Sequence, residues 1–324
     1  MTKSSLNRGI PAVVPVFFRT FAYIKEPRVY NGIERPVLIE DNMEFKEINL
    51  SEWKKIGEGG NGAVFVNDAE PGKLLKLSYH ALDNLAAVEK EFYTSKAIYD
   101  LGLSTPEMIE IVKVGNGFGF LCQQIKDKRS LSSLSGYNPQ NIKKWAGILA
   151  EEGKKLHAIK ATGSEYIPSM KEKLLVAARE TRLLKGKKKE DLIAFAESLE
   201  DAPNLVHGDF QFGNLIVAAG VPYWIDLGEA THGNPMFDLG HFYLLTNIFC
   251  TQKRVREITH MTPTEMHEYW NAFALAYNGK EGIDAFNAEC KRYAGIDIII
   301  LGYTRKLGFI ERFSLSRLAN QLIG

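Results

Sequence analysis

The sequence predicts a two-lobed α+β fold, in which a small strand-rich lobe is followed by a larger helical lobe. Three observations support this prediction. The chain has 324 residues, more than one small hydrophobic core usually organises. Short apolar runs separated by turn residues dominate positions 51–125. Helical spacing of apolar residues dominates positions 126–324. Residues 1–50 are then expected to form an N-terminal extension of unknown role.

Composition argues against several function classes. A net charge of +1 and a pI of about 7.7 give no reason to expect nucleic acid or an anionic membrane as a partner. The three cysteines are widely spaced and odd in number, which favours reduced structural thiols and a cytoplasmic location. Pro11 and Pro15 interrupt the apolar N-terminal run, so a signal peptide is not expected. No apolar run approaches the ~20 residues of a membrane-spanning helix.

The strand-rich region begins with two strands around a glycine-rich turn. A short hairpin turning at Asn31 and Gly32 is expected before it, within the extension. The stretch GEGGNGAVF then carries Gly57, Gly59 and Gly62. Alone, this pattern is weak evidence for phosphate binding, because a glycine-rich hairpin turn has the same letters. A strand follows the glycines rather than a helix, which separates the pattern from the dinucleotide-binding fingerprint and leaves backbone N–H groups available to phosphates.

Lys76 lies within the apolar run LLKLS, where a buried ammonium group without an anionic partner would be costly. The helical pattern from Ala86 to Leu101 offers two carboxylates, Glu89 and Glu91. These positions are about 200° apart around a helix, so only one of them can face the strand. Spacing alone does not decide between them, and a Lys76 that points to solvent from an edge strand is the structural alternative.

The stretch LVHGDFQFGNLIV places polar residues on a turn between two apolar runs, 205–206 and 215–217, which are typical of short buried strands. Asp209 and Asn214 lie on this turn, and Asp226 follows the next apolar strand. Carboxylate and amide oxygens suit Mg²⁺ bound together with nucleotide phosphates. Asn214 and Asp226 are therefore candidate metal ligands. The remaining residue, Asp209, could then orient the hydroxyl group of the substrate that receives the phosphoryl group, or take up the proton of that hydroxyl.

The helical region contains two well-marked helices. Apolar residues recur at steps of three and four from Ile142 to Leu156, which predicts one amphipathic helix. Thr262 and Glu265 form the pattern of a capping box around Pro263, and Asn278 with the following glycine ends that helix.

Together, the glycines, Lys76, a helix glutamate, HGDFQFGN and DLG occur in the order found in protein-kinase-like phosphotransferases. HGD has Gly where protein kinases usually carry Arg, and this variant resembles the aminoglycoside phosphotransferase and choline kinase branch. The stretches KLHAIKATGSEY and GNPMFDLGHF resemble the same branch. The resemblance covers about Glu52 to the C-terminus. It implies a bilobal protein-kinase-like fold, ATP and Mg²⁺ as cofactors, and transfer of the γ-phosphoryl group to a hydroxyl of a small molecule.

The resemblance also implies roles for single residues. Asp209 matches the catalytic aspartate, and Asn214 and Asp226 match the metal ligands. Lys76 matches the lysine that contacts the α- and β-phosphates. Glu91, rather than its neighbour two positions earlier, is the better match for the partner of that lysine.

One further segment and two histidines bear on the expected site. Backbone groups from Gln123 to Ile125, after the strand pattern FGFLC, resemble the adenine-binding hinge between residues 51–125 and 126–324. His207 matches a residue that braces the catalytic loop, so a structural role is expected. His157 is also expected to be packed rather than catalytic.

Two alternatives to a small-molecule kinase are a protein kinase and a catalytically silent pseudokinase. Only twelve positions separate Asp226 from Asp238, which is too short for the activation segment of a protein kinase. Every expected catalytic and metal position holds its usual residue type, which argues against a pseudokinase.

The charge near the C-terminus bears on the acceptor. Residues 289–324 carry three acidic and six basic side chains. If this segment borders the acceptor, a neutral or anionic acceptor is expected. The alternative is that these charges belong to solvated helix faces.

Overall fold

The computed structural model describes residues 44–58, 62–79, 84–305 and 307–323. In these residues the predicted bilobal α+β fold is confirmed: a six-stranded sheet with one helix is followed by a mostly helical region. The hairpin expected at Asn31 and Gly32, most of the expected extension, and Gly59 lie outside the described residues.

The N-terminal lobe is a twisted sheet with one long helix. Its elements are β1 Lys46–Ile48, β2 Lys54–Glu58, β3 Gly62–Val66, β4 Lys73–Ser78, α1 Leu85–Asp100, β5 Met108–Val114 and β6 Gly117–Gln123. The strand order is β1-β5-β6-β4-β3-β2, and every neighbouring pair is antiparallel except β1 with β5. The sheet thus begins before residue 51, within the segment expected to be an extension. Three residues are too few to produce a strand pattern that the sequence would reveal.

The alternation of side chains along β4 sets the direction of Lys76. Leu75 and Leu77 are buried in a cluster on one face of the sheet. Leu74 packs with Val88 of α1 on the other face. Successive side chains of a strand point to opposite faces, so Lys76 shares the face of Leu74. The lysine is therefore directed to the side of the sheet that α1 covers.

The C-terminal lobe is mainly helical. Its helices are α2 Leu131–Gly136, α3 Ile142–Ala158, α4 Met170–Glu180, α5 Lys187–Ser198, α6 Met236–Tyr243, α7 Lys253–Thr259, α8 Pro263–Asn278, α9 Ile283–Thr304 and α10 Phe309–Leu322. Its short strands are β7 Arg129–Ser130, β8 Leu205–Val206, β9 Leu215–Ala218, β10 Val221–Trp224 and β11 Thr231–His232. The predicted capping box at the start of α8 is present. In the described part of the chain, no helix has the length and apolar character needed to cross a membrane.

Two short strands frame the loop that carries Asp209. β8 pairs with β11, and β9 pairs with β10 on one side and β7 on the other. The buried strands predicted on both sides of the polar turn are therefore confirmed. All three cysteines are buried and unpaired with one another.

Helix α6 crosses α9 at a point that leaves no room for a side chain. A Cβ atom at Gly240 would lie 2.5 Å from Cβ of Tyr293 and 2.6 Å from its carbonyl carbon. We expect Gly240→Ala to lower the free energy of unfolding by about 1–3 kcal/mol, because the two helices would have to separate. The midpoint of urea unfolding measures this loss.

A matched control is Gly147→Ala, in the middle of α3, where no atom lies within 4 Å of the added Cβ. Alanine has the higher helix propensity, so this change should leave stability unchanged or raise it by up to about 1 kcal/mol. Equal unfolding midpoints for the two variants would contradict the packing described for α6.

Candidate active site

Lys76 is paired with two carboxylates from different parts of the chain. Its Nζ lies 2.7 Å from Oε1 of Glu91 on α1, and it also forms an ion pair with Oδ1 of Asp226. Ser78 donates a hydrogen bond of 2.9 Å to the second oxygen of Glu91. Burial alone would lower the pKa of Lys76, but the two carboxylates outweigh it and raise the pKa above its ordinary value. The lysine is therefore held as an ammonium ion between the lobes.

Glu89, the other candidate partner, faces away from Lys76. Within the described residues it makes no hydrogen bond or ion pair, and partial burial raises the pKa of its carboxyl group. The structure thus joins Lys76 to Glu91, as the resemblance implied, and the turn of the helix explains why only one glutamate can reach the strand.

The loop between β8 and β9 is held in place by Asp238 at the start of α6. This carboxylate is buried and accepts the backbone N–H groups of His207 at 2.7 Å and Gly208 at 2.9 Å. It also contacts Nε2 of His157 at 3.0 Å. Gly208 has a φ of +81°, and a Cβ there would lie 2.3 Å from the carbonyl oxygen of Glu229. Glycine is thus required where the loop passes this segment.

Two aromatic side chains anchor the same loop in the core. Phe210 and Phe212 alternate with the polar residues and are fully buried. The ring of Phe210 lies 5.1 Å from that of Trp224, and the ring of Phe212 lies 5.5 Å from that of Phe242. This packing fixes the loop backbone, so the polar side chains between the rings project from a rigid base.

His207 braces the loop from within. Its Nε2–H donates to the carbonyl oxygen of Ile225 at 3.1 Å, and its Nδ1 accepts the backbone N–H of Asp209 at 3.3 Å. One ring nitrogen donates and the other accepts, which is the pattern of a neutral imidazole. Burial lowers the pKa of His207 below its ordinary value, consistent with that state.

Asp209 is surrounded by hydrogen-bond donors. Asn214 donates to its Oδ2 at 2.8 Å and to its backbone carbonyl oxygen at 2.8 Å. Gln211 and His241 each lie 3.1 Å from Oδ1. Burial would raise the pKa of Asp209, but the hydrogen bond and charge of His241, together with Asn214, lower it. The carboxylate is therefore ionised and fixed in orientation.

Asn214 and Asp226 provide oxygen atoms close to Asp209. The backbone N–H of Ile225 donates to the Asn214 carbonyl oxygen at 3.0 Å, which brings the two segments together. The amide nitrogen of Asn214 is engaged by Asp209, so its Oδ1 is the atom left for a cation. Asp226 has a left-handed backbone with a φ of +59°, and its side chain is 49% exposed.

These two residues fit a magnesium ion that binds mainly to phosphate. Magnesium commonly takes one or two carboxylates together with substrate phosphates and water. No group of three or more His, Cys, Asp or Glu side chains in the described ranges could hold a metal by itself. One carboxylate and one amide oxygen are therefore the donor set that the chain offers.

The remaining predicted positions border the N-terminal lobe. Gly57 lies in β2 and Gly62 begins β3, on the two sides of the glycine-rich turn. Gln123 ends β6, and its backbone N–H already donates to the Glu107 carbonyl oxygen at 2.8 Å. The N–H of Ile125 has no such bond within the described part of the chain. Of these two backbone N–H groups, that of Ile125 is therefore the one left for another acceptor.

A pocket lies beside Asp209 in the C-terminal lobe. Its apolar lining comes from Met170, Phe237, Ile300 and Leu301. Its charged lining comes from Lys173, Asp209, Glu229, Asp238, His241, Asp297 and Arg305. Among these lining residues, Glu229 forms an ion pair with Lys173 at 3.1 Å. Glu229 also forms an ion pair at 2.7 Å with Lys90 of α1, which does not line the pocket.

The roles of Asp238, His241 and Asp297 did not emerge from the sequence. In the sequence, Asp238 served only to measure the distance from Asp226, and Asp297 was counted only among the charged residues near the C-terminus. A usable signal was the stretch MFDLGHF, which places an aspartate and a histidine three positions apart in an apolar helix. Buried polar groups of this kind require partners, so the pair indicated a buried polar network.

Comparisons with known proteins identify the family and the fold of the chain. A family model described as "Phosphotransferase enzyme family" matches residues 52–273. Amicoumacin kinase hAmiN, in complex with AMP-PNP, Ca²⁺ and Ami, is similar in structure with a TM-score of 0.51. The two chains are 13% identical, and the match covers 86% of this chain and 90% of the other.

A second solved structure is aminoglycoside phosphotransferase APH(3'')-Id from Streptomyces rimosus, in complex with ADP and streptomycin. It has a TM-score of 0.50 and 17% identity, and the match covers 80% of this chain and 94% of the other. No curated protein matches the chain. The family model spans more than half of the 324 residues and includes the loop between β8 and β9. The chain therefore belongs to the phosphotransferase enzyme family.

Proposed function

We propose that the protein transfers the γ-phosphoryl group of ATP to a hydroxyl of a small-molecule acceptor. The observation that carries the proposal is the meeting of Lys76, from the N-terminal sheet, with Asp226, from the segment that follows the loop of Asp209. Phosphoryl transfer depends mainly on positioning and on stabilising negative charge, and this arrangement supplies both. Membership of the phosphotransferase family supports the same reaction class.

The nucleotide would lie between the lobes. Lys76 would contact its α- and β-phosphates, with Glu91 holding the ammonium group in position. The strands that carry Gly57 and Gly62 would cover the phosphates, and the backbone at Ile125 would receive the adenine ring. Asn214 and Asp226 would hold Mg²⁺. The metal, when bound, supplies positive charge that offsets the charge of the phosphates.

Asp209 would act on the acceptor. Its carboxylate lines the pocket of the C-terminal lobe and is ionised, so it can orient a hydroxyl group and accept its proton during direct in-line transfer. No phosphoenzyme intermediate is then required.

The pocket favours a neutral or anionic acceptor over a polycation. Each of its other carboxylates is engaged within the protein. Asp238 accepts backbone N–H groups, Asp297 is paired with His241, and Glu229 is paired with Lys173. A polycation would have to compete with these bonds, whereas a hydroxylated or anionic molecule would not. The two structural neighbours are complexes with small molecules, streptomycin and Ami, which supports a small acceptor for this chain.

The segment between Asp226 and α6 supports a small acceptor rather than a protein. It contains the two-residue strand β11, and α6 begins at Met236. This leaves little chain for a peptide-binding platform. The alternative is a nucleotide-binding protein without catalytic activity, and activity measurements must distinguish it from the proposed kinase.

An ATP-consumption screen over a panel of metabolites tests the proposal. We expect acceptor-dependent ADP formation by the wild-type protein with at least one hydroxylated metabolite of neutral or negative charge. Asp209→Asn is the blank for every acceptor, because it keeps the shape of the side chain and removes the proton acceptor. Acceptor-dependent turnover that is equal in the blank would refute the role of Asp209.

The division between metal and acceptor roles predicts different binding defects. Asp226→Ala should weaken the binding of MgATP by at least about tenfold, or about 1.4 kcal/mol. Asp209→Ala should change it much less, because this carboxylate faces the acceptor. Calorimetric titration with the non-hydrolysed analogue AMP-PNP and Mg²⁺ measures both affinities.

Titration with metal-free AMP-PNP is the control. Asp226→Ala removes a competitor for Lys76, so binding without Mg²⁺ should not weaken. An equal loss of MgATP affinity in the Asp226 and Asp209 variants would show that the roles are not divided in this way.

The ion pair of Lys76 with Glu91 predicts a graded series. Lys76→Ala should lower kcat/KM for ATP by roughly 100-fold, because a charge on the phosphates is lost in the transition state. Glu91→Gln should act in the same direction but less strongly, because the lysine keeps its charge and loses part of its positioning. Steady-state kinetics with varied ATP measures the series.

Glu89→Gln is the matched control, since this glutamate is on the same helix and faces away from the lysine. Its kinetics should equal those of the wild type. A larger defect for Glu89→Gln than for Glu91→Gln would contradict the pairing.

A further inference from the structure

His241 connects the proposed catalytic aspartate to a second carboxylate. Its Nε2 lies 3.1 Å from Oδ1 of Asp209, and its Nδ1 lies 2.9 Å from Oδ2 of Asp297 on α9. The side chains of His241 and Asp297 are 10% and 14% exposed, so water does not replace these contacts. The three side chains form one partly buried chain of hydrogen bonds, which we call the Asp–His–Asp bridge.

The partners of His241 determine where its protons lie. With both carboxylates ionised, each would accept a hydrogen bond from the ring, so both ring nitrogens would donate. A ring with two donors is an imidazolium ion. His207, 3.3 Å from the backbone N–H of Asp209, differs because one of its nitrogens accepts. The two histidines near Asp209 therefore differ in their partners: both nitrogens of His241 face carboxylates, whereas only one nitrogen of His207 faces an acceptor.

The bridge also determines which oxygen of Asp209 is left for a substrate. Oδ1 accepts from His241 at 3.1 Å and from Gln211 at 3.1 Å. Oδ2 accepts from Asn214 at 2.8 Å, and its contact with Gln211 is longer, at 3.3 Å. Gln211 is shared between the two oxygens and lies farther from Oδ2, so Oδ2 has only one donor within 3.1 Å and is the oxygen more open to a further donor.

We propose that His241, fixed by Asp297, is a positioning residue that holds the Asp209 carboxylate with Oδ2 turned to the acceptor hydroxyl. The inference rests on the proposed function, because it assigns Asp209 to the acceptor. The proposal also requires that α6 hold both Asp238 and His241, which are three positions apart, in place. One helix thus fixes the backbone of the catalytic loop through Asp238 and its reacting side chain through His241.

Charged groups from the neighbouring elements line the same pocket as His241. They are Asp209 of the catalytic loop, Glu229 after β10, Asp238 of α6, Asp297 of α9, Lys173 of α4 and Arg305 after α9. Burial would lower the pKa of His241, but Asp297 and Asp209 outweigh it and raise the pKa to about 10. The contacts of His241 with two carboxylates and the raised pKa both favour the protonated form of its ring.

The protonation of His241 can be measured without knowing the acceptor. The protein with ¹⁵N-labelled histidine has seven imidazole groups, and the signals lost in His241→Gln identify those of His241. We expect both ring nitrogens to stay protonated to at least about pH 8, above the ordinary histidine pKa of about 6.5. In Asp297→Asn the midpoint should fall by at least about one pH unit. Deprotonation of wild-type His241 below pH 7 would overturn the proposal.

A matched control for the second carboxylate is Glu289→Gln, an exposed position on the same helix α9. It should leave the His241 signals unchanged. An equal shift in the Glu289 and Asp297 variants would show a general effect of charge rather than the bridge.

Kinetics with an acceptor from the screen tests the positioning role. His241→Ala should lower kcat by about 100-fold, the cost of misplacing a reacting group, with KM for ATP within about twofold of the wild type. His241→Gln, which can donate one hydrogen bond to Asp209, should recover part of the loss. Asp297→Asn, which keeps the side-chain shape, should lower kcat even if His241→Ala fails to fold.

His267→Gln changes an exposed histidine of α8 and should have wild-type kinetics. A kcat within twofold of the wild type for both His241→Ala and Asp297→Asn would overturn the positioning role. If no acceptor is found, the proposed function fails while the NMR result still decides whether the bridge exists.

Discussion

The ammonium group of Lys76 between two carboxylates is the interaction on which the site depends. A lysine in an apolar strand loses hydration, and Glu91 and Asp226 compensate for that loss from opposite lobes. The same contact fixes the register of α1 against β4 and brings the segment after β10 up to the sheet. Under the proposed function, nucleotide phosphates would share this lysine with Asp226, which could then turn to the metal. Under that proposal, the two carboxylates hold the charge that would act on the phosphates.

A second set of constraints starts from α6. Asp238 fixes the backbone of the loop between β8 and β9, and the buried rings of Phe210 and Phe212 anchor that loop in the core. The close crossing of α6 and α9 at Gly240 brings Asp297 within reach of His241. Packing and chemistry are therefore linked, because a change in the helix crossing would also move the groups around Asp209.

The fold and part of the site followed from local patterns in the sequence. The strands around the glycine-rich turn, helix α1 and the capping box of α8 depend on neighbouring residues, which spacing and turn chemistry describe well. The sequence left open whether Lys76 faces a carboxylate or solvent, and the packing of the two faces of β4 decides between them. β1 was missed because it has only three residues, and its partner β5 is more than sixty positions later. The bridge was missed because it joins residues 32 and 56 positions apart, a contact that only the packing of α6 against α9 creates.

The most direct test of the account is a ³¹P NMR time course with ATP, Mg²⁺ and an acceptor identified by ADP formation. The account predicts that one phosphomonoester signal appears for each ATP lost, that inorganic phosphate does not accumulate in step with ADP, and that Asp209→Asn gives no such signal. Release of inorganic phosphate in place of the phosphomonoester would contradict transfer to a hydroxyl. Unchanged ATP with every acceptor, although MgATP binds, would instead identify a nucleotide-binding protein without turnover.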